Sequence, residues 1–147
     1  MPNAGEGMIL WNAELTKRLA CTEKEKAALP SLVHELLALS DKARGEGVKA
    51  LLETTAGEGP MLAYGCRLIA EGYSEDVLEE ILAVYLTTST LAGFEFLKQC
   101  ICAEALLGIA AGDSRDLLLR KLAPYCGAEK ATTLLKALDA AGGENGL

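Results

Sequence analysis

The stretch Leu68-Ile69-Ala70-Glu71-Gly72-Tyr73-Ser74-Glu75-Asp76-Val77-Leu78-Glu79-Glu80-Ile81-Leu82-Ala83-Val84-Tyr85 recurs later in the chain. Its second copy is Gly108-Ile109-Ala110-Ala111-Gly112-Asp113-Ser114-Arg115-Asp116-Leu117-Leu118-Leu119-Arg120-Lys121-Leu122-Ala123-Pro124-Tyr125. The offset is 40 residues and nine of the 18 aligned positions are identical, so one reading serves both copies. Each reads as a helix, a short reversal and a second helix. Gly72 and Gly112 suit the left-handed backbone that closes a helix, where a Cβ is strained. Ser74 and Ser114 follow two residues later, placed to accept a hydrogen bond from the free amides opening the next helix. Asp76 and Asp116 fall in that first turn, where the helix dipole favours negative charge.

Working outward, Met8–Ala20 has the apolar spacing of a short amphipathic helix, and Thr22 with Glu25 makes a capping box. Pro30 bends or resets the helix that follows. Residues 31–53 carry the longest helical pattern, with Val33, Leu36, Leu37, Ser40, Ala43, Gly47, Ala50 and Leu51 on one side. The middle of that stripe is small (Ser40, Ala43, Gly47) and suits a close helix crossing. Pro60 suits a helix start. Thr87 to Thr90 and Gly93 weaken the helix there. Phe94–Ala111 is apolar nearly all round and is the expected most buried helix. Ala128–Ala140 reads as a last helix with Leu134, Leu135 and Leu138 inward.

No stretch alternates as a half-buried strand would. The fold class is therefore all-α: a helical bundle of two repeated hairpins, about 68–85 and 108–125, plus a long helix 31–53 and a C-terminal helix. Residues 1–7 and 142–147 read as tails around a single helical domain, 8–141.

Half of the 147 residues are hydrophobic but 5% are aromatic, so the core must be built from Leu, Ile and Ala. A formal net charge of −7 argues against nucleic acid as a partner. No apolar run reaches the roughly 20 residues that cross a bilayer. Five cysteines, with no signal peptide, suggest reduced thiols in a cytoplasm.

Three ordered blocks carry a resemblance. The first is Ala43-Arg44-Gly45-Glu46-Gly47 with Ala50-Leu51-Leu52-Glu53. The second is Pro60-Met61-Leu62 with Gly65, Leu68-Ile69, Gly72 and Ile81-Leu82. The third is Glu104 to Gly112 with Lys121-Leu122. Together they resemble the cytoplasmic parts of the MotA stator subunit of the flagellar motor, in the MotA/TolQ/ExbB superfamily. The membrane helices that this family places between the second and third blocks have no counterpart in 83–94, so ion conduction is not implied. In the stator, an Arg and a Glu of the first block contact the rotor protein FliG. Arg44 stands at that Arg. Leu52 stands at the Glu, with Glu53 one place on, and one residue turns a helical side chain by about 100°.

The resemblance implies a non-enzymatic protein–protein interaction module. Its expected partner is a protein, with a flagellar rotor or stator component as the specific case. The candidate partner-binding residues are Arg44, Glu46, Lys49 and Glu53, which read equally as an ordinary solvated helix face. No catalytic set is recognised and no cofactor or metal is expected. Glu104, in the apolar central helix, reads either as a proton-active carboxylate, or as a partly exposed residue or one paired with Lys98, Arg67 or a helix end. Cys100 and Cys102, with Cys66 and Cys126, lack the paired loop spacing of a zinc site and read as buried small hydrophobes. His34 has no nucleophile beside it. Two further readings stay open: a small-molecule binder or enzyme using an inter-hairpin pocket near Glu104 and His34, and a structural homodimer formed through Ser40, Ala43 and Gly47.

Overall fold

Helix follows helix through residues 13–53 and 59–144, which the computed structural model describes, and no strand occurs among them. In order these are α1 (Ala13–Leu19), α2 (Glu23–Lys26), α3 (Leu29–Glu46), a 3₁₀ segment (Val48–Glu53), α4 (Pro60–Ala70), α5 (Glu75–Thr88), α6 (Phe94–Ala111), α7 (Arg115–Leu122), a second 3₁₀ segment (Ala123–Cys126) and α8 (Ala128–Glu144). The fold is all-α. The expected start at Met8 and the tail 1–7 lie outside the described residues.

Thr22 and Glu25 form the capping box, each side chain serving the other's backbone N–H. The helix they open lasts one turn, and α3 starts afresh with Pro30 in its first turn, where no amide is missed. The expected helix 31–53 is shorter than its pattern. It stops at Gly47, whose φ of 95° leaves the helical region, and the chain continues to Glu53 as 3₁₀. Glycine tolerates that angle where a Cβ would not. α8 is helical as far as Glu144, past Gly142.

The two hairpins turn alike. Gly72 (φ 89°) and Gly112 (φ 77°) are left-handed. The amides of Tyr73 and Asp113 reach back to the carbonyls of Leu68 and Gly108, at 3.2 and 2.9 Å. Those of Gly72 and Gly112 bond Ile69 and Ile109, completing a Schellman closure in each. The Ser74 and Ser114 hydroxyls accept from the Val77 and Leu117 amides, opening α5 and α7. Positions forty apart also make corresponding contacts across the hairpins. Tyr64 meets Tyr85 ring to ring at 5.9 Å. Glu104 accepts a hydrogen bond from Tyr125 at 3.1 Å.

Helix α6 is the axis. It packs against α1, α3, α4, α5 and α7. Ile101, Ala103, Ala105 and Leu106 are wholly buried, as expected of a helix apolar nearly all round. With almost no aromatic residues to fill space, neighbours must come close. α4 does so at Gly65, where a Cβ would overlap the side chain of Leu106. Leu78 and Leu82 of α5, and Leu118 and Leu122 of α7, close the core from either hairpin. Arg18 ties α1 to the start of this axis, donating to the Ser89 and Leu91 carbonyls and lying over the Phe96 ring.

Gly65→Ala should lower stability by about 1–3 kcal/mol through overpacking, because the Leu106 tip has nowhere to go. Urea unfolding checks this. A midpoint equal to wild type would mean that α4 can back away from α6 freely.

Candidate interaction surface

The four candidate partner-binding residues do not share a helix face. Arg44 and Glu46 close α3, while Lys49 and Glu53 lie beyond Gly47 on the 3₁₀ segment. All four are exposed. Arg44 is also engaged within the fold: its Nη2 donates to the Asp113 carbonyl at 2.6 Å and to Ser40 Oγ at 3.3 Å. Glu53 lies 4.0 Å from Lys42 Nζ. What the charge pattern did not reveal is that two large apolar side chains accompany them, Val48 at 40% and Leu52 at 57% exposed. Leu52 stands where the resemblance expects an acid, so this edge joins apolar area to charge.

Arg44 belongs to a polar clasp around the α6–α7 turn. Lys121 Nζ bonds Asp113 Oδ2 at 2.6 Å, Arg115 pairs with Asp41 of α3, and Arg44 holds the Asp113 carbonyl. The clasp joins α3 to the second hairpin. It also explains the small stripe. Ser40 and Ala43 are buried where α3 packs on α6 and α7, and Gly47 has left the helix. Ser40 and Ala43, two of the three residues expected at a dimer seam, are therefore covered by the fold itself.

Glu104 is partly exposed, as one of its readings expected, and the partner it takes is the Tyr125 hydroxyl rather than Lys98, Arg67 or a helix end. Sequence reasoning missed this pair, although the forty-residue offset aligns Tyr64 with Glu104 as well as Tyr85 with Tyr125. His34 is exposed on α3 and makes no hydrogen bond to Glu104 among the described residues. Burial, and then the Glu104 carboxylate, push the Tyr125 phenol above its ordinary value of 10.0. Cys66, Cys100, Cys102 and Cys126 are buried. Burial raises the Cys66 thiol to about 11 and the Cys100 thiol to about 12, far from the thiolate that ligation or attack needs. Among the described residues no group of His, Cys, Asp and Glu is gathered for a metal ion.

Two shallow clefts stand elsewhere. One, about 310 Å³, lies between the start of α4 and the start of α6, lined by Pro60, Met61, Leu91, Glu95, Lys98 and Gln99 among others. The other, about 510 Å³, lies by Glu23, Cys126 and Lys130 at the start of α8. Neither of these two is lined by Glu104 or His34. No described helix is long and apolar enough to cross a membrane. No family model, curated protein or solved structure matches this chain.

Arg44→Ala should cost about 1 kcal/mol in urea unfolding, since it frees the α6–α7 turn from α3. An unchanged midpoint would reduce Arg44 to a purely external residue. The Tyr125 phenol has a raised folded pKa, so its neutral form contributes stability in full below about pH 10, lost as pH rises beyond it; the Cys66, Cys100 and Cys126 thiols act likewise from about pH 9. Tyr125→Phe should cost about 1 kcal/mol near neutrality and make the alkaline loss shallower above about pH 10. Thermal melts across that range read both effects.

Proposed function

We propose that this chain is a non-enzymatic protein-interaction module akin to the cytoplasmic region of the MotA stator, working in a cytoplasm and docking a flagellar rotor or stator protein. The observation that carries the reading is the edge after Gly47, where Val48 and Leu52 are exposed among Glu46, Lys49 and Glu53. Interfaces combine an apolar centre with a charged rim that steers the partner, and this edge has both. Further support comes from the placing of the three resembling blocks. The first ends α3 and forms the 3₁₀ segment, the second forms α4 and α5, and the third spans the α6–α7 turn. The 3₁₀ segment packs on α4 and α3 packs on α7, so the blocks adjoin.

On this reading the groups differ in role. Leu52 and Val48 supply area, Lys49 and Glu53 supply steering, and Arg44 holds the edge against the second hairpin. Catalysis has no support in the described residues: half-buried Glu104 is bonded to a phenol that holds its proton, half-buried Asp113 is paired with Lys121, and the Cys66 and Cys100 thiols stay protonated.

Isothermal titration against purified rotor protein FliG and stator proteins tests the proposal. Binding by wild type, weakened about tenfold or more by Leu52→Asp with Lys49→Glu, is the expected result. The same double variant should keep its urea midpoint within about 0.5 kcal/mol, as both side chains are exposed. Equal binding by variant and wild type would remove this edge as the surface. Failure to bind any rotor or stator protein would remove the flagellar assignment.

A further inference from the structure

The two hairpins present the same outer face with opposite charge. On α5, Val77, Glu80 and Val84 stand at i, i+3 and i+7, on one side of the helix. All three are exposed, Val84 at 62%. Forty residues on, Leu117 and Arg120 of α7 and Pro124 of the following 3₁₀ segment stand in the same relation, and they too are exposed. Each face is a pair of apolar side chains with a charge between them. Glu80 in the first is Arg120 in the second. The surroundings of Glu80 are acidic: between Pro60 and Thr88 the sequence has five carboxylates and one cation, Arg67, which is paired with Glu71. Those of Arg120 are mixed: Asp116 lies one turn before it, and Lys121 beside it is bonded to Asp113.

We propose that the chain associates with itself head to tail, the α5 face of one copy seating on the α7 face of the next. Charge selects this pairing. Two α5 faces would set Glu80 against Glu80, and two α7 faces would set Arg120 against Arg120. Like charges across an interface disfavour both, while the mixed pairing brings Glu80 to Arg120 and the Val77–Val84 stripe to Leu117 and Pro124. The interface is heterologous, so it continues beyond two copies, into a closed ring or an open string. Each face is small beside a standard interface, and every copy carries a net charge of −7. The association is therefore weak, with Kd on the order of 100 µM. This surface is separate from the edge after Gly47 and does not depend on it.

Sedimentation velocity over a concentration series tests the proposal with Glu80→Arg, Arg120→Glu and the double variant. Wild type should gain mass with concentration, passing beyond a dimer. Each single variant should lose the association about tenfold or more, since its two faces then carry like charge. A one-to-one mixture of the two single variants should regain it, because the basic α5 face of one meets the acidic α7 face of the other. The double variant, with both charges exchanged, should also regain it. Circular dichroism melts establish that every variant is folded. A wild type that stays monomeric through the millimolar range overturns the proposal. So does a single variant that associates as wild type does, or a mixture no stronger than its components.

Discussion

One helix is nearly all core. From Phe96 to Ile109, α6 is buried except at Lys98, Gln99 and Glu104, so it is stable only when other helices close around most of its circumference. A sequence with few aromatic side chains cannot do this by filling gaps. It does so by close approach, through Gly65 of α4 against Leu106 and Gly108 beneath Leu118. The remaining architecture follows from getting enough helices round one axis. α4 and α5 arrive as the first hairpin, α7 continues directly from α6, and α3 and α1 complete the surround. Such a core is dense and polar groups reach it only in pairs, as Glu104 and Tyr125 do.

The α6–α7 turn links that core to the surface. Its Schellman closure is a local matter of Gly112, but the turn is held by distant groups. Arg44 takes the Asp113 carbonyl, Lys121 takes the Asp113 carboxylate, and Arg115 reaches Asp41. Among the described residues, the first hairpin has no such clasp at the corresponding turn. There, Gly72 is followed by exposed Tyr73. Two hairpins of similar local chemistry thus have different surroundings: α7 packs on α3 and α8 as well as α6, whereas α5 packs chiefly on α4 and α6. The difference leaves α5 at the edge of the bundle.

Some side chains serve the fold and the surface at once. Arg44 is named by resemblance as a contact residue, and its exposure fits that, yet its guanidinium also serves the fold. A helical wheel cannot show this, because Asp113 lies 69 residues away. The same holds for Glu104. Its partner is 21 residues on, beyond a turn and a second helix. The exposed Leu52 was visible as a departure from the family pattern, but its exposure depended on where α3 would stop.

Local signals were legible in the residues themselves. The capping Ser74 and Ser114, the left-handed Gly72 and Gly112, the capping box at Thr22 and the all-round apolarity of 94–111 each rest on interactions within a few residues, so the sequence alone determined the all-α class and most helix ends. Tertiary structure decided the rest. It determined that the 31–53 pattern is divided at Gly47, that the small stripe on α3 is covered by its own chain, and which acid meets which base. Those outcomes depend on elements far apart in sequence arriving at one place, and only packing around α6 brings them together.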